Sequence, residues 1–284
     1  MASIPPRLKG AFKMRPIDAD KHSVGTVAVV GGSCRYANAP VMAGLGARSA
    51  GAGLVTIVAP NVSRLAMAAL LPEATFMRLT PTSEPPRSDV VILGMGLGLD
   101  AAAELVVSRI LAGPAGRIVV DADALSVLAA LRARSAWLGP AESQELILTP
   151  HEGEAARLLG CERAEISANR LPSAKRIAAM YGATVVLKGA NTLVVSRDGS
   201  ATYKNKTGNP FMALGGMGDL LAGIIGARWA YLKDDPFMAA ASSVWLHALA
   251  SDRIVAAMKD PTIVNTAAEV GALRTYLDGR RGKI

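Results

Sequence analysis

The sequence predicts an α/β fold, a mostly parallel sheet covered by helices, and three observations support it. Short β-branched runs recur between segments of helical period, the pattern of strands joined by crossover helices. Most of the strand-like runs are followed by glycines or by polar and charged residues that look functional, which suits strands whose carboxyl ends open on one crevice. The chain has 284 residues, 51% hydrophobic and 19% charged, enough to bury one large core or two small ones.

In chain order, strands are expected at Thr26 to Val30, Leu54 to Ala59, Asp89 to Leu93, Arg117 to Val120, Leu146 to Leu148, Thr184 to Leu187 and Thr192 to Ser196. Each is a short run of the β-branched and aliphatic residues that fit a pleated surface. Helices are expected at Ala39 to Ala50, Ala101 to Leu111, Ala124 to Ala133, Glu152 to Leu159, Ser167 to Tyr181, Asp219 to Leu232 and Pro236 to Met258. The helix at Glu152 follows Pro150 and carries acids in its first turn, as a helix start should. No internal repeat is present, and the Pro-, Ser- and Thr-rich loop Thr80 to Arg87 is too short for a domain linker. Residues 1–21 therefore read as an N-terminal extension and 22–284 as a single domain. Met1 to Ile17 holds Arg and Lys and no acid, but Pro5, Pro6 and Pro16 spoil a transit helix and no apolar signal core is present.

The net charge of +8 favours anionic partners such as nucleotides. Nucleic acid is not expected: the basic residues are dispersed except for Arg280, Arg281 and Lys283, and at 4% the aromatics are too few for a base-stacking platform. Polar or charged residues interrupt every long apolar stretch, so no membrane span is expected. The two cysteines, Cys34 and Cys161, are isolated and read as reduced thiols of a cytoplasmic protein.

The segment Gly208-Asn209-Pro210-Phe211-Met212-Ala213-Leu214-Gly215-Gly216-Met217-Gly218-Asp219 precedes the apolar run Leu220 to Ala227. Glycines clustered at a helix start leave backbone N–H groups facing an anion, and the helix dipole adds positive potential. A pure phosphate site should avoid a carboxylate, so Asp219 points to chemistry beside the phosphate and is the candidate general base. The plainer alternative is a tight loop with Asp219 as a helix cap. Gly31-Gly32-Ser33 and the small residues Ala39 to Ala47 would let a flat ligand approach the backbone closely. Neither dinucleotide fingerprint is met: Gly94-Met95-Gly96-Leu97-Gly98 lacks the third Rossmann glycine, and Gly46 to Gly53 lacks the Walker lysine.

In Leu148-Thr149-Pro150-His151-Glu152-Gly153-Glu154, Glu154 either caps a helix or holds Mg²⁺ through water, because a carboxylate facing bound phosphate needs a cation between them. His151 could bond a ligand phosphate or amide, whereas His22 and His247 read as surface or packing residues. Lys188, at a strand end in Lys188-Gly189-Ala190-Asn191-Thr192, is either a phosphate partner or a solvated hairpin lysine. Asp121 and Asp123 cap a helix, and either could reach the crevice.

Taken together and in this order, Gly25-Thr26 with Gly31-Gly32-Ser33, Ala39-Pro40, Gly51-Ala52-Gly53-Leu54-Val55, Leu93 to Gly98, Asp121 to Leu125, Leu148-Thr149-Pro150-His151, Leu187-Lys188-Gly189-Ala190 and Gly215 to Asp219 resemble the ADP/ATP-dependent NAD(P)H-hydrate dehydratases. The resemblance runs from His22 to Val270. Its Gly-Gly-x-Gly-Asp motif is shared with the wider ribokinase-like superfamily, and the Thr-Pro-His and Lys-Gly-Ala segments narrow it to the dehydratases. The resemblance implies a ribokinase-like three-layer α/β/α sandwich. It also implies phosphorylation of the ring hydroxyl of NADHX or NADPHX by ADP or ATP, followed by loss of phosphate to regenerate NADH or NADPH. Asp219 would be the base that activates the hydroxyl, and the N–H groups of Gly216, Met217 and Gly218 an anion hole. Lys188, Gly189, Ala190, Asn191 and Thr192 would contact the nucleotide, with Gly218 at its phosphate. Ala39, Gly98, His151 and Asp219 would contact the hydrated dinucleotide, and Glu154 would support Mg²⁺. A homotetramer and a separate epimerase for the two epimers of the substrate are further implications.

Four positions depart from the family's pattern. Asn38 stands where Gly precedes the Ala, Glu152 replaces a Pro, and Phe211 and Leu214 occupy loop places where Gly and a polar residue are common. Phe211 would be costly if that place needs a positive φ. Two alternatives remain: a ribokinase-like small-molecule kinase acting on hydroxyethylthiazole or a vitamin, whose product keeps its phosphate, and a catalytically silent nucleotide-binding module. The retained Asp219 speaks against the second.

Overall fold

Strands apolar on both sides need cover on both, and the chain supplies it. The computed structural model describes residues 4–84, 86–137 and 139–279. Within them, nine strands form one sheet: β1 (Thr26–Val30), β2 (Leu54–Ala59), β3 (Thr75–Arg78), β4 (Val90–Leu93), β5 (Arg117–Val120), β6 (Glu145–Leu148), β7 (Thr184–Leu187), β8 (Leu193–Val195) and β9 (Thr202–Lys204). Their spatial order is β3-β2-β1-β4-β5-β6-β7-β8-β9. Pairing is parallel from β3 to β7, and β8 is antiparallel to both of its neighbours. The helices are α1 (Ala39–Ser49), α2 (Ser63–Leu70), α3 (Ala101–Ala112), α4 (Asp123–Ala133), α5 (Glu152–Leu159), α6 (Arg163–Ala168), α7 (Arg170–Tyr181), α8 (Met217–Leu232), α9 (Pro236–Ala256) and α10 (Ile263–Gly279).

Alternate strand residues feed two cores. Val27, Val29, Ile57 and Ile92 join the core under α1, α8, α9 and α10. Ala28, Val30, Val91 and Leu93 join the core under α3, α4, α5 and α7. The product is the expected three-layer α/β/α sandwich with a mostly parallel sheet. The chain runs outward from β1 to β3 on one side and from β4 to β7 on the other, so the order reverses between β1 and β4. Ligand crevices of open α/β sheets form beyond the strand ends at such a switch.

The structure differs from the sequence expectation in several elements. The helix expected from Ser167 to Tyr181 is broken at Asn169 (φ −132°, ψ 48°) into α6 and α7. Pro172 explains the break, since its ring would clash with the carbonyl four residues earlier in a continuous helix. Elements β3, β9, α2 and α10 were not expected. The N-terminal segment contributes Leu8, Ala11 and Phe12 to the core. Phe12 meets Trp245 edge-on at 5.6 Å, and the Arg228 guanidinium lies over its ring at 4.8 Å. The basic residues Arg280, Arg281 and Lys283 lie outside the described residues. Among those described, no helix is long and apolar enough to cross a membrane.

Helices α1 and α8 approach closely enough that only glycine fits at two places. A Cβ on Gly46 would stand 2.1 Å from the Leu220 carbonyl oxygen, and one on Gly223 would stand 1.9 Å from that of Ala43. Each contact presses on the other helix's backbone, which cannot swing aside as a side chain can. This clasp holds α8 against β1, β4 and β5, across the switch point. Gly46→Ala should therefore destabilise the fold by about 1–3 kcal/mol through overpacking, read as a lower urea midpoint with an unchanged slope. An unchanged midpoint would show that the helices can part freely.

Candidate active site

Helix α8 begins at Gly216, whose φ of 92° and ψ of −13° lie in the left-handed region. That conformation costs a residue with a Cβ roughly 1–2 kcal/mol and glycine almost nothing. Gly216 has no side chain to cap the first-turn N–H groups, so apart from the Met217 N–H, which donates to the Leu214 carbonyl at 3.3 Å, the turn is open to an anion. Asp219 lies in the same turn and is half-buried. Burial pushes its carboxyl up to about 7, the charge of Asp121 adds to the effect, and Lys188 opposes it.

Lys188 follows β7 directly. Its backbone N–H donates to the Pro150 carbonyl at 2.8 Å. Its Nζ donates to Asp121 Oδ1 at 2.6 Å and lies 3.9 Å from Glu154 Oε2. A Cβ on Gly218 would stand 3.4 Å from that Nζ, so the ammonium group sits beside the first turn of α8. Only 17% of the side chain is exposed, which rules out a solvated hairpin lysine. Burial pulls its pKa down, but Asp121 and Glu154 outweigh burial and leave it above the ordinary value.

Glu154 and His151 form a reciprocal cap on α5. The His151 N–H donates to Glu154 Oε2 at 2.8 Å, and His151 Nδ1 accepts from the N–H groups of Gly153 and Glu154 at 3.0 and 3.3 Å. The capping alternative for Glu154 is thus realised, in a position that also faces Lys188. Burial pushes the Glu154 carboxyl up to about 7, with Lys188 opposing and Asp121 adding. His151 is held below its ordinary value by burial and by the charge of Lys188, so its imidazole is neutral and can accept at Nδ1.

A cavity of about 640 Å³ opens beside Asp219 and is lined by Tyr36, Ala39, Met42, Gly96, Asp123 and Gly216, among others. The structure brings Ala39 and Asp219 to this cavity. Gly98 reaches it indirectly, its N–H donating to Asp123 Oδ2 at 2.8 Å. His151 belongs instead to the Lys188 cluster on the neighbouring strand end. In the strip after Lys188, Gly189 packs against Arg170, Asn191 holds a φ of 56°, and Thr192 Oγ1 donates to the Gly189 carbonyl at 2.9 Å.

The departures from the family's pattern have local accounts. Glu152 pairs with Arg170, whose Nη2 donates to the carbonyls of Leu187 and Lys188 at 3.2 and 3.3 Å, so the acid in place of proline ties α5 to the end of β7. Phe211 is 61% exposed in the 3-10 turn Pro210–Met212 and is not among the residues with positive φ. The backbone cost expected there does not arise. Asn38 precedes α1 without making a side-chain cap, and Leu214 is exposed. Sequence reasoning missed Arg170, the pairing of Asp121 with Lys188, and Asp252. The last accepts from the Gly208 N–H and from Asn209 Nδ2, both at 2.8 Å, and pins the glycine loop to α9. An acid one turn from the end of a helix carries no sequence signal for that contact.

Comparison with known proteins matches residues 27–269 to the family described as NAD(P)H-hydrate dehydratase. The chain is 40% identical to the ADP-dependent (S)-NAD(P)H-hydrate dehydratase of Neisseria meningitidis, over 87% of this chain and 83% of that one. It is 36% identical to the bifunctional NAD(P)H-hydrate repair enzyme of Escherichia coli, and spans about half (46%) of that protein's length. The ADP/ATP-dependent NAD(P)H-hydrate dehydratase of Bacillus subtilis, co-crystallised with ATP/Mg²⁺, superposes with a TM-score of 0.84 at 26% identity, covering 95% of this chain and 96% of that one. The fold is accordingly ribokinase-like.

Asp219 links the site to stability. An acid whose pKa rises from 3.8 to about 7 on folding favours the fold in its protonated form. That stabilisation is complete below the unfolded value and is lost as pH rises through about 7. Asp219→Asn, neutral at every pH, should match the wild type in urea midpoint only near about pH 3 and exceed it by a growing margin up to about pH 8. Equal midpoints at both values would contradict the burial of a charged carboxylate.

Proposed function

The chain belongs to the NAD(P)H-hydrate dehydratase family, and on that premise we propose that it uses ADP or ATP to return NADHX or NADPHX to NADH or NADPH. The observation that carries this reading is Asp219, a half-buried carboxylate with its pKa near neutrality, in the first turn of a helix whose N-terminus has no side-chain cap. A base near the operating pH suits removal of a hydroxyl proton, and the uncapped N–H groups suit the charge of a transferring phosphoryl group. Asp219 takes the proton of the ring hydroxyl as its oxygen attacks the terminal phosphorus. The N–H groups of Gly216 and Gly218 receive the phosphoryl oxygens, joined by that of Met217 once it leaves the Leu214 carbonyl. Lys188, beside that turn, offsets their charge, and the strip Gly189 to Thr192 borders the nucleotide. Ala39 lines the cavity that receives the hydrated ring, with Gly98 on its flank, and His151, beside Lys188, would meet a more distant part of the dinucleotide.

Among the described residues no three His, Cys, Asp or Glu side chains converge as a metal cage. Mg²⁺ bound on nucleotide phosphates needs only one or two carboxylates through water, and Glu154, facing Lys188 at the crevice, fits that role. When bound, Mg²⁺ neutralises the charge of the transferring phosphate. Both cysteines are free thiols, which supports a cytoplasmic enzyme. A homotetramer and a separate epimerase supplying the competent epimer rest on the family resemblance.

With NADHX, ADP and Mg²⁺, the protein should restore NADH absorbance while AMP and free phosphate appear in equal amounts. Asp219→Asn should slow the reaction by about 10²–10⁴ with nucleotide binding retained. Phosphorus NMR separates the alternatives: a phosphorylated product that persists would identify a small-molecule kinase, and NADH restored without nucleotide would refute the proposed reaction.

A further inference from the structure

Dehydration of a hydrated dihydronicotinamide removes two protons, not one. The first leaves the hydroxyl when it is phosphorylated. The second leaves the neighbouring ring carbon when phosphate is expelled, and the chemistry assigned to Asp219 does not account for it. Resting on the reading above, we propose that Asp123 is the second base, the carboxylate that takes the ring C–H proton in the elimination step.

Three observations point to it. Asp123 lines the same cavity of about 640 Å³ as Asp219, so a ring bound there would meet both residues. Its Oδ2 accepts the Gly98 N–H at 2.8 Å, and this hydrogen bond from the glycine loop orients the carboxylate. The residue before it, Ala122, is held at φ 52° and ψ −123°, a conformation that costs a non-glycine residue ~1–3 kcal/mol. That turn sends two aspartates two residues apart to different tasks, Asp121 to Lys188 at 2.6 Å and Asp123 to the cavity. Asp121, 1% exposed and committed to its lysine, is not available to a substrate.

The step balances without any further reactant. The ring nitrogen lone pair pushes out phosphate, which leaves with the C–O bonding electrons and produces a C=N⁺ iminium. Asp123 then takes the proton from the adjacent carbon, the C–H electrons form the ring C=C bond, and the iminium is neutralised as the nitrogen recovers its lone pair. The protonated carboxyl then returns this proton, directly or through water, to the expelled phosphate, which is released as HPO4²⁻.

The test uses the full-length protein with NADHX, ADP and Mg²⁺ in single-turnover mixing. Asp123→Asn keeps the acceptor oxygen for Gly98, and it should form AMP within a factor of about five of the wild-type rate. NADH and phosphate should follow slower by about 10²–10⁴, with a phosphorylated hydrate visible by phosphorus NMR in quenched samples. Asp123→Ala should behave alike, and added formate should restore NADH formation without changing AMP formation. A purely structural residue would slow AMP and NADH together and would not respond to formate; either result overturns the proposal. Unimpaired NADH formation in both variants overturns it as well. Persistence of phosphorylated product in the wild type would instead defeat the dehydratase reading itself, so the two failures are told apart.

Discussion

The ammonium group of Lys188 stands among the carboxylates of Asp121, Glu154 and Asp219, which come from the end of β5, from α5 and from α8, and the arrangement of the crevice depends on that shared cation. Removing one partner of such a buried set leaves uncompensated charge and costs about 3–5 kcal/mol, whereas the intact pair contributes little net stability. Its value lies in position and potential. One lysine cannot neutralise Asp121, Asp123, Glu154 and Asp219 together. The surplus negative charge, added to burial, holds Glu154 and Asp219 near neutrality, at about 7 each. In the proposed reaction Asp219 would act as a base of that strength beside the N–H groups that meet the phosphoryl group, an arrangement suited to phosphoryl transfer from a hydroxyl.

The backbone that supports this charge is built from close approaches. Gly46 and Gly223 let α1 and α8 touch through their backbones, and the clasp fixes where the uncapped turn at Gly216 points. Asp252 secures the loop before that turn through Gly208 and Asn209, and Arg170 secures the carbonyls on either side of the β7 end. These contacts lie outside the crevice, yet they decide where its N–H groups, its lysine and its carboxylates stand.

Much of this was legible in the residues. Four of the seven expected strands have the expected bounds, because parallel strands buried on both faces are short, dense runs of aliphatic and β-branched residues. Asp219 and the glycines before it announce a helix start that could meet an anion, and the structure shows the uncapped turn. Elements at the margins were less legible. The edge strand β3 is largely exposed and β9 has only three residues, so neither makes an apolar run. Helix α10 does bury Ala267, Val270, Leu273 and Leu277 at helical spacing, but the polar residues between them break the run. Long-range pairings were not legible at all: nothing local in Val120-Asp121-Ala122-Asp123 says which aspartate meets Lys188, 67 residues away in sequence. That choice belongs to the registers of β5 against β6 and of β6 against β7.

The central claim is that a carboxylate held near neutrality removes the hydroxyl proton during phosphoryl transfer. The direct measurement is the single-turnover rate of AMP formation from ADP and NADHX from about pH 5 to about pH 9, for the wild type and for Asp121→Asn. The account predicts a rate that rises with loss of one proton, with a midpoint near 7 in the wild type. In the variant the midpoint should lie lower, because a negative neighbour is gone and Lys188 is freed to favour the Asp219 carboxylate. A flat profile, or a midpoint at the ordinary aspartate value that does not move in the variant, would contradict it.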